Sequence, residues 1–351
     1  MNDILFDFDD LLIEPARITN INSRKKTNPR YKDDFLPIMT APMDTVINEK
    51  NFKIFKDNGI IPVLPRISNP DKNYVDTELF LSYSLDDFES IFLQSTPYIP
   101  VNKKVYALID VANGHMVRLY EMAKNAKIKY GNSMHLMVGN VANPSTYYEY
   151  SLIGVDAVRI GIGNGNGCLT TVQTGVGYPM ASLIEECRTI KNNNGFNTDI
   201  IADGGFKKYA DIIKALGLGA DFVMLGSILN KSLESAGETT KVYDTLGNHE
   251  IIDQYSKEAK EMYDAGIPLF KTFRGMSTKE VQKSWGKENI TTSEGVVRKY
   301  NVEYTLKNWI DNFEDYLRSA MSYTNKLTLK EFIGNVNFNR ITLNSFRRFD
   351  K

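Results

Sequence analysis

Residues 161–180 read GIGNGNGCLTTVQTGVGYPM, and Cys168 at the centre is the residue best suited to covalent chemistry. A cysteine becomes a nucleophile where a base or positive charge favours its thiolate. Gly161, Gly163, Gly165 and Gly167 alternate up to it, and Thr170 and Thr171 follow it. Glycines permit left-handed backbone and close approach, so this loop can wrap around a ligand. Two further motifs suit a phosphate: Asp203-Gly204-Gly205, and Gly226-Ser227 at the end of the run DFVMLGS. Glycine at such turns lets backbone N–H groups reach an anion. The aspartate beside them is placed to bind ribose hydroxyls. Ser293-Glu294-Gly295 offers a carboxylate that can relay protons to or from a thiol-bound group.

These motifs need a frame to bring them together. Apolar strand candidates run at 36–42, 60–65, 104–110, 134–140, 156–161, 199–205 and 221–226, with helix candidates at 48–57, 116–127 and 209–216 between them. Strands alternating with helices predict a parallel sheet. At least seven such strands, with no dinucleotide fingerprint opening the series, predict an α/β protein with a closed (β/α)8 TIM barrel. Asp44, Asp110, Asn140, the Cys168 loop, Asp203-Gly204-Gly205 and Gly226-Ser227 all fall just past strand ends. That is the rim where barrels keep their active sites. The pattern loosens over 232–303, which reads as a flap over the C-terminal rim. Residues 304–334 return to a helical pattern, and the tail after Gly334 is expected to be extended or loosely packed. We expect one barrel domain over 1–351.

Composition narrows the field. The chain has 351 residues, a net charge of −1, two cysteines and three histidines. It shows no electrostatic footprint for nucleic acid, no disulfide framework and no zinc-ligand spacing. The N-terminus lacks a signal-peptide pattern, and no apolar run is long enough to span a bilayer. The expected location is the cytoplasm.

Taken in order, FDFDDLLIEPA (6–16), MTAPMDTV (39–46), DVANG (110–114), GNV (139–141), GIGNGNGCLTT (161–171), TGVGYP (174–179), ADGG (202–205), DFVMLGS (221–227), RGMST (274–278), SEG (293–295) and LRSAMSY (317–323) resemble the inosine monophosphate dehydrogenase/guanosine monophosphate reductase family over nearly the whole chain. Residues 66–103 are too few for an inserted regulatory module. DVANG, TGVGYP, GMS and RSAMSY are most similar to the reductase. Ser227 and Arg274 lean towards the dehydrogenase, but QKSWGKENITTSEG lacks the Arg-Tyr pair of the dehydrogenase flap. The resemblance implies an NADPH-dependent GMP reductase; the alternative is a compact IMP dehydrogenase using NAD.

Carried over by position, it makes Cys168 the nucleophile and Thr170 with Glu294 the proton-handling pair. Asn166, Asp203, Gly204, Gly205, Gly226, Ser227, Gly275, Met276, Ser277 and Gly295 then contact the nucleotide. The cofactor falls to Ser23, Arg24, Arg66, Asp110, Val111, Ala112, Ile162, Gly163, Ser319, Ser322 and Tyr323, some of them from a neighbouring subunit of a homotetramer. The carbonyls of Gly163, Gly165 and Cys168 are implied to hold a monovalent cation such as K+. The loop departs from the family pattern: Asn164 replaces proline, Asn166 serine, Leu169 threonine and Thr171 arginine. Thr291 stands where the reductase has arginine, and Arg66 where a lysine is usual near the cofactor. These changes point to altered substrate or cofactor choice and to a differently shaped loop.

Overall fold

The computed structural model describes residues 4–31, 34–66, 79–243, 247–276, 278 and 295–349. Eight strands form one parallel sheet: β1 (Ile38–Thr40), β2 (Val63–Leu64), β3 (Phe80–Tyr83), β4 (Val105–Asp110), β5 (Met134–Val141), β6 (Ala157–Ile160), β7 (Asp199–Asp203) and β8 (Phe222–Leu225). β1 pairs with β8 at one end of the strand order, and a parallel bridge between Met39 and Ile61 joins β1 to the segment entering β2. The sheet therefore closes on itself as the expected (β/α)8 barrel. The connections carry helices α1 (Phe52–Asp57), α2 (Leu85–Phe88), α3 (Val117–Tyr130), α4 (Pro144–Leu152), α5 (Met180–Asn194) and α6 (Tyr209–Leu218).

β3 is the strand that the apolar runs did not reveal. It is four residues long, and its buried serine, Ser82, interrupts the run FLSY.

Side chains alternate along a strand, so every second residue faces the barrel interior. One layer is filled by Met39, Val63, Phe80, Leu108, Met137, Ala157, Ile201 and Met224, one from each strand. Two positions further along come Ala41, Asp110, Gly139, Arg159, Asp203 and Gly226. The layer above the apolar plug is thus polar or small, and it forms the floor of the mouth.

The segment 232–303 is not irregular where it is described. It folds as a four-stranded antiparallel sheet of β9 (Thr239–Val242), β10 (His249–Ile252), β11 (Leu269–Arg274) and β12 (Val297–Asn301), ordered β10-β9-β11-β12, with helix α7 (Lys257–Asp264) before β11. Its strands are rich in charge because much of the sheet lies at the surface; β11 alternates buried and half-buried residues.

Lys271 on β11 is wholly buried and donates to the carbonyls of Ser235 (2.7 Å) and Gly237 (3.3 Å). Burial pushes its pKa down to about 7, with Glu234 pulling the other way. The folded-state value thus lies below the unfolded one. Between the two, the unfolded chain binds the proton that the folded chain lacks, so stability rises with pH from about 7 towards the ordinary lysine value. In thermal melts, Lys271→Met is expected to remove this slope, so native stability relative to the variant improves between about pH 7 and about pH 9. Parallel pH profiles would contradict it.

The tail after Gly334 is extended in part, as expected, and it is tied down rather than loose there. Phe338–Arg340 pairs antiparallel with Leu11–Ile13, and Leu343–Phe349 is helical. Val336 and Phe338 pack onto Gly217 of α6, where a Cβ would lie 2.8 Å from Val336 and 3.1 Å from Phe338. That contact gives the tail an apolar anchor.

Candidate active site

A cavity of about 500 Å³ opens at the C-terminal ends of the barrel strands. The loop after β6 forms one wall and carries Cys168. The Cys168 Sγ lies 3.2 Å from the Thr170 Oγ1, which opens a short helix, Thr170–Thr174. The other cysteine, Cys187, is buried on α5, where burial raises its thiol pKa and keeps it protonated. Of the two thiols, the half-buried Cys168 is the one that faces the cavity.

Small residues let three chain segments converge behind the sulfur. Cys168 bridges antiparallel to Gly295, the Val296 N–H reaches the Gly167 carbonyl at 3.3 Å, and the Gly275 N–H reaches the Val296 carbonyl at 3.0 Å. A Cβ on Gly275 would lie 2.3 Å from the Gly167 carbonyl oxygen. Glycine is therefore required at the residue that follows β11, where the chain meets the Cys loop. Glu294 and Ser277 lie outside the described residues, as does Thr291; Gly295, beside Glu294 in sequence, is already against Cys168.

The adjoining wall, past the ends of β7 and β8, carries Asp203, Gly204, Gly205, Gly226 and Ser227. Gly204 and Gly205 adopt φ +88° and +87°, a left-handed pair that other residues adopt at a cost. A Cβ on Gly204 would lie 2.9 Å from the Gly165 amide nitrogen, so this turn and the Cys loop touch. Asn166 closes the gap between the walls, its Nδ2 donating to the Ser227 Oγ at 3.0 Å. Met276 and Gly275 complete this side.

Across the floor runs a network that the sequence motifs did not reveal. Arg159 of β6 donates to Asp110 (2.7 Å) on one side and Asp203 (2.9 Å) on the other. Asn140 donates to the same Asp203 oxygen (2.8 Å) and to the Gly161 carbonyl (2.8 Å). Burial works against the Arg159 charge, but Asp203 and Asp110 outweigh it and hold its pKa above the usual arginine value. Gly139 makes the space: a Cβ there would lie 2.6 Å from that of Arg159. A charged residue inside the apolar run DAVRIG was the available signal. A strand covered on both faces tolerates a guanidinium only where it is paired.

On the Asp110 side, Arg66 completes the lining. Its Nε lies 3.5 Å from the Asp110 carboxylate, and its Nη2 donates to the Asp110 carbonyl. Val111, Ala112, Ile162 and Gly163 continue that wall. The remaining residues with an expected cofactor role gather elsewhere. Arg24 donates to Ser319 (3.2 Å) and pairs with Asp315 (3.1 Å) of helix α8 (Leu306–Tyr323). Ser322 donates to the Ile21 carbonyl (3.4 Å), Ser23 caps the turn at Lys25, and Tyr323 is 69% exposed. None of these five lines the cavity of its own chain.

The antiparallel sheet is fastened to the rim next to the site. Arg274 pairs with Asp44, its Nε 3.3 Å from Oδ1, and Asn230 donates to the carbonyls of Thr45 (2.7 Å) and Thr272 (3.1 Å).

Comparison with known proteins agrees with this arrangement. Residues 101–349 match the family model described as IMP dehydrogenase / GMP reductase domain. The chain belongs to that family. It is 29% identical over 369 residues to GMP reductase 2 of Homo sapiens, covering 97% of this chain and 95% of that protein. It is 30% identical over 359 residues to GMP reductase of Buchnera aphidicola subsp. Acyrthosiphon pisum (strain Tuc7), with 97% and 95% coverage. Against GMP reductase 1 of Homo sapiens the identity is 27% over 362 residues, with 97% and 96% coverage.

Proposed function

We propose that this protein catalyses the reductive deamination of GMP, or a closely related purine mononucleotide, to IMP and ammonia. The observation that carries the reading is the Cys168 thiol, 3.2 Å from the Thr170 hydroxyl and facing a cavity also lined by Asp203, Gly204, Gly205, Gly226 and Ser227. The names of the relatives support GMP as substrate.

Guanine's 2-amino group leaves poorly, because the nitrogen must be protonated to depart. Covalent attack divides that displacement into two easier steps. The Cys168 sulfur adds to carbon 2 of the purine, forming a C–S bond while the carbon 2–nitrogen 3 double bond becomes single and nitrogen 3 takes a proton. Thr170 then delivers a proton to the exocyclic nitrogen, with Glu294 as the acid behind it. Ammonia departs as the C–N bond breaks, nitrogen 3 gives up its proton, and a thioimidate remains on Cys168. General acid help of this kind is worth about 10²–10⁴-fold. The phosphate is assigned to the backbone amides at Gly204, Gly205, Gly226 and Ser227, with Asn166 beside them. Asp203 takes the ribose hydroxyls with the carboxylate oxygen that Arg159 and Asn140 leave available.

For the cofactor, the fit is good. Val111 and Ala112 form a small apolar shelf at the cavity edge next to the paired Asp110, suited to an uncharged dihydropyridine face. Asp110, Val111, Ala112 and Arg66 would hold NADPH there, and it would supply a hydride to carbon 2. Ser23, Arg24, Ser319, Ser322 and Tyr323 are then available to a neighbouring copy, in keeping with a homotetramer. The segment 232–303, which carries the antiparallel sheet, acts as the flap. No helix among the described residues is long and apolar enough to cross a membrane, which is compatible with a cytoplasmic enzyme.

The implied monovalent cation fits less well. Hard cations gather roughly six or more oxygens. The Gly165 carbonyl already accepts the Cys168 N–H at 2.9 Å, so it has one lone pair left to offer, and the three carbonyls together make half of such a shell. No step is assigned to such an ion.

The test is incubation with GMP and NADPH, following nicotinamide absorbance and ammonia. Equal amounts of NADPH consumed and ammonia released are expected. Turnover only of IMP with NAD, giving xanthosine monophosphate, would instead establish the dehydrogenase; no turnover of any purine mononucleotide would overturn both.

A further inference from the structure

We propose that Thr171 is a positioning residue that clasps the Cys168 loop into its reactive shape, so that the loop needs no monovalent cation to hold it. The Thr171 Oγ1 lies 3.0 Å from the Ile162 carbonyl and 2.7 Å from the Val176 carbonyl. One carbonyl belongs to the start of the loop and the other to the turn that leaves it. A single hydroxyl hydrogen is thus shared between the loop's two ends, and its donor has one hydrogen to give.

The surrounding glycines are built around this hydroxyl. Gly163 has φ +79°, and a Cβ there would lie 1.7 Å from the Thr171 Oγ1; at Gly177 it would lie 2.6 Å away. Neither position admits a side chain while the hydroxyl sits where it does. A second hydroxyl reinforces the turn: the Thr174 Oγ1 donates to the Thr170 carbonyl at 2.7 Å and accepts the Val176 N–H at 3.1 Å. Thr170, whose own hydroxyl meets the Cys168 sulfur, is therefore held through its carbonyl from one side and through its peptide link to Thr171 from the other. The chain fixes the Thr170–Cys168 pair with neutral hydrogen bonds internal to one protomer.

The inference rests on the proposed chemistry only for its turnover arm, because thiol reactivity reads the loop without substrate. The experiment compares native protein, Thr171→Ser and Thr171→Val in potassium, sodium and tetramethylammonium chloride at equal ionic strength. Readouts are the rate of Cys168 alkylation by iodoacetamide, which the buried Cys187 does not obscure, thermal melting, and kcat and KM for GMP. Native alkylation and kcat are expected to agree within about twofold across the three salts. Misplacement by an ångström costs on the order of 100-fold, so Thr171→Val should lose about 10- to 100-fold in kcat with KM little changed, unrelieved by potassium. Thr171→Ser should stay within about threefold of native, on the same geometric argument. Should Thr171→Val fail to fold, native protein and Thr171→Ser decide. A native protein that loses alkylation rate or kcat more than about tenfold in tetramethylammonium overturns the proposal, and so does a Thr171→Val protein that behaves as native. Absence of GMP turnover in every protein, with salt-independent alkylation, sinks the proposed function and leaves the clasp standing.

Discussion

Cys168→Ala is expected to reduce GMP turnover by about 10⁴-fold or more, the scale seen when a covalent nucleophile is removed. Cys168→Ser should fare little better, since a hydroxyl is a far weaker nucleophile than a thiol at neutral pH. Neither change should weaken the fold much. The side chain is half-buried at a cavity, and its polar contact among the described residues is with Thr170. Substitutions away from the packed core usually cost about 0.5 kcal/mol or less. Mononucleotide affinity should largely survive, because all the groups assigned to phosphate and ribose except Asn166 sit at or just past the ends of β7 and β8. The check is a pair of measurements on one preparation: steady-state NADPH consumption and calorimetric GMP binding. Loss of both together would mean that the loop had collapsed and that chemistry alone was not being read.

The second large effect is expected at Arg159. Its guanidinium is held between two carboxylates, with side chains 12%, 13% and 14% exposed for Arg159, Asp110 and Asp203. Removing one member of a buried ionic set leaves the others uncompensated and costs about 3–5 kcal/mol. Arg159→Met should therefore lower chemical-denaturation stability by that order, and raise KM for the nucleotide by freeing the Asp203 carboxylate. Arg159→Lys keeps the charge but has a single ammonium in place of a planar fork, so it cannot span both partners in the same geometry. It should recover much of the stability and less of the KM. If Arg159→Met melts like native and binds GMP normally, the network is not what orients Asp203.

Much of this was legible because a parallel barrel strand, covered on both faces, writes itself as an apolar run ended by a turn residue. That is why MHLMVGN and DFVMLGS declared themselves and why the rim could be read from the residues that followed. β3 escaped because FLSY is short and carries a buried serine. The antiparallel sheet over 239–301 escaped for a different reason. HEII lies largely at the surface, and TTKV fills its buried positions with threonines rather than apolar side chains, so the pair shows little apolar alternation although its two strands are neighbours in sequence. At the site, Cys168, Thr170 and the two glycine turns were visible as motifs. Arg159 was not, because its meaning depends on Asp110 and Asp203, some 49 and 44 positions away in the chain. The Thr171 clasp depends likewise on where two carbonyls point, and residue types do not record that.

The account stands or falls on a sulfur–carbon bond to the purine. Protein mixed with GMP in the absence of NADPH, quenched in acid and digested, should yield a peptide containing Cys168 heavier by GMP less ammonia, with ammonia released in equal amount. Rapid reductive turnover of GMP in a protein whose Cys168 peptide is never modified, and whose Cys168→Ala variant keeps its rate, would contradict it.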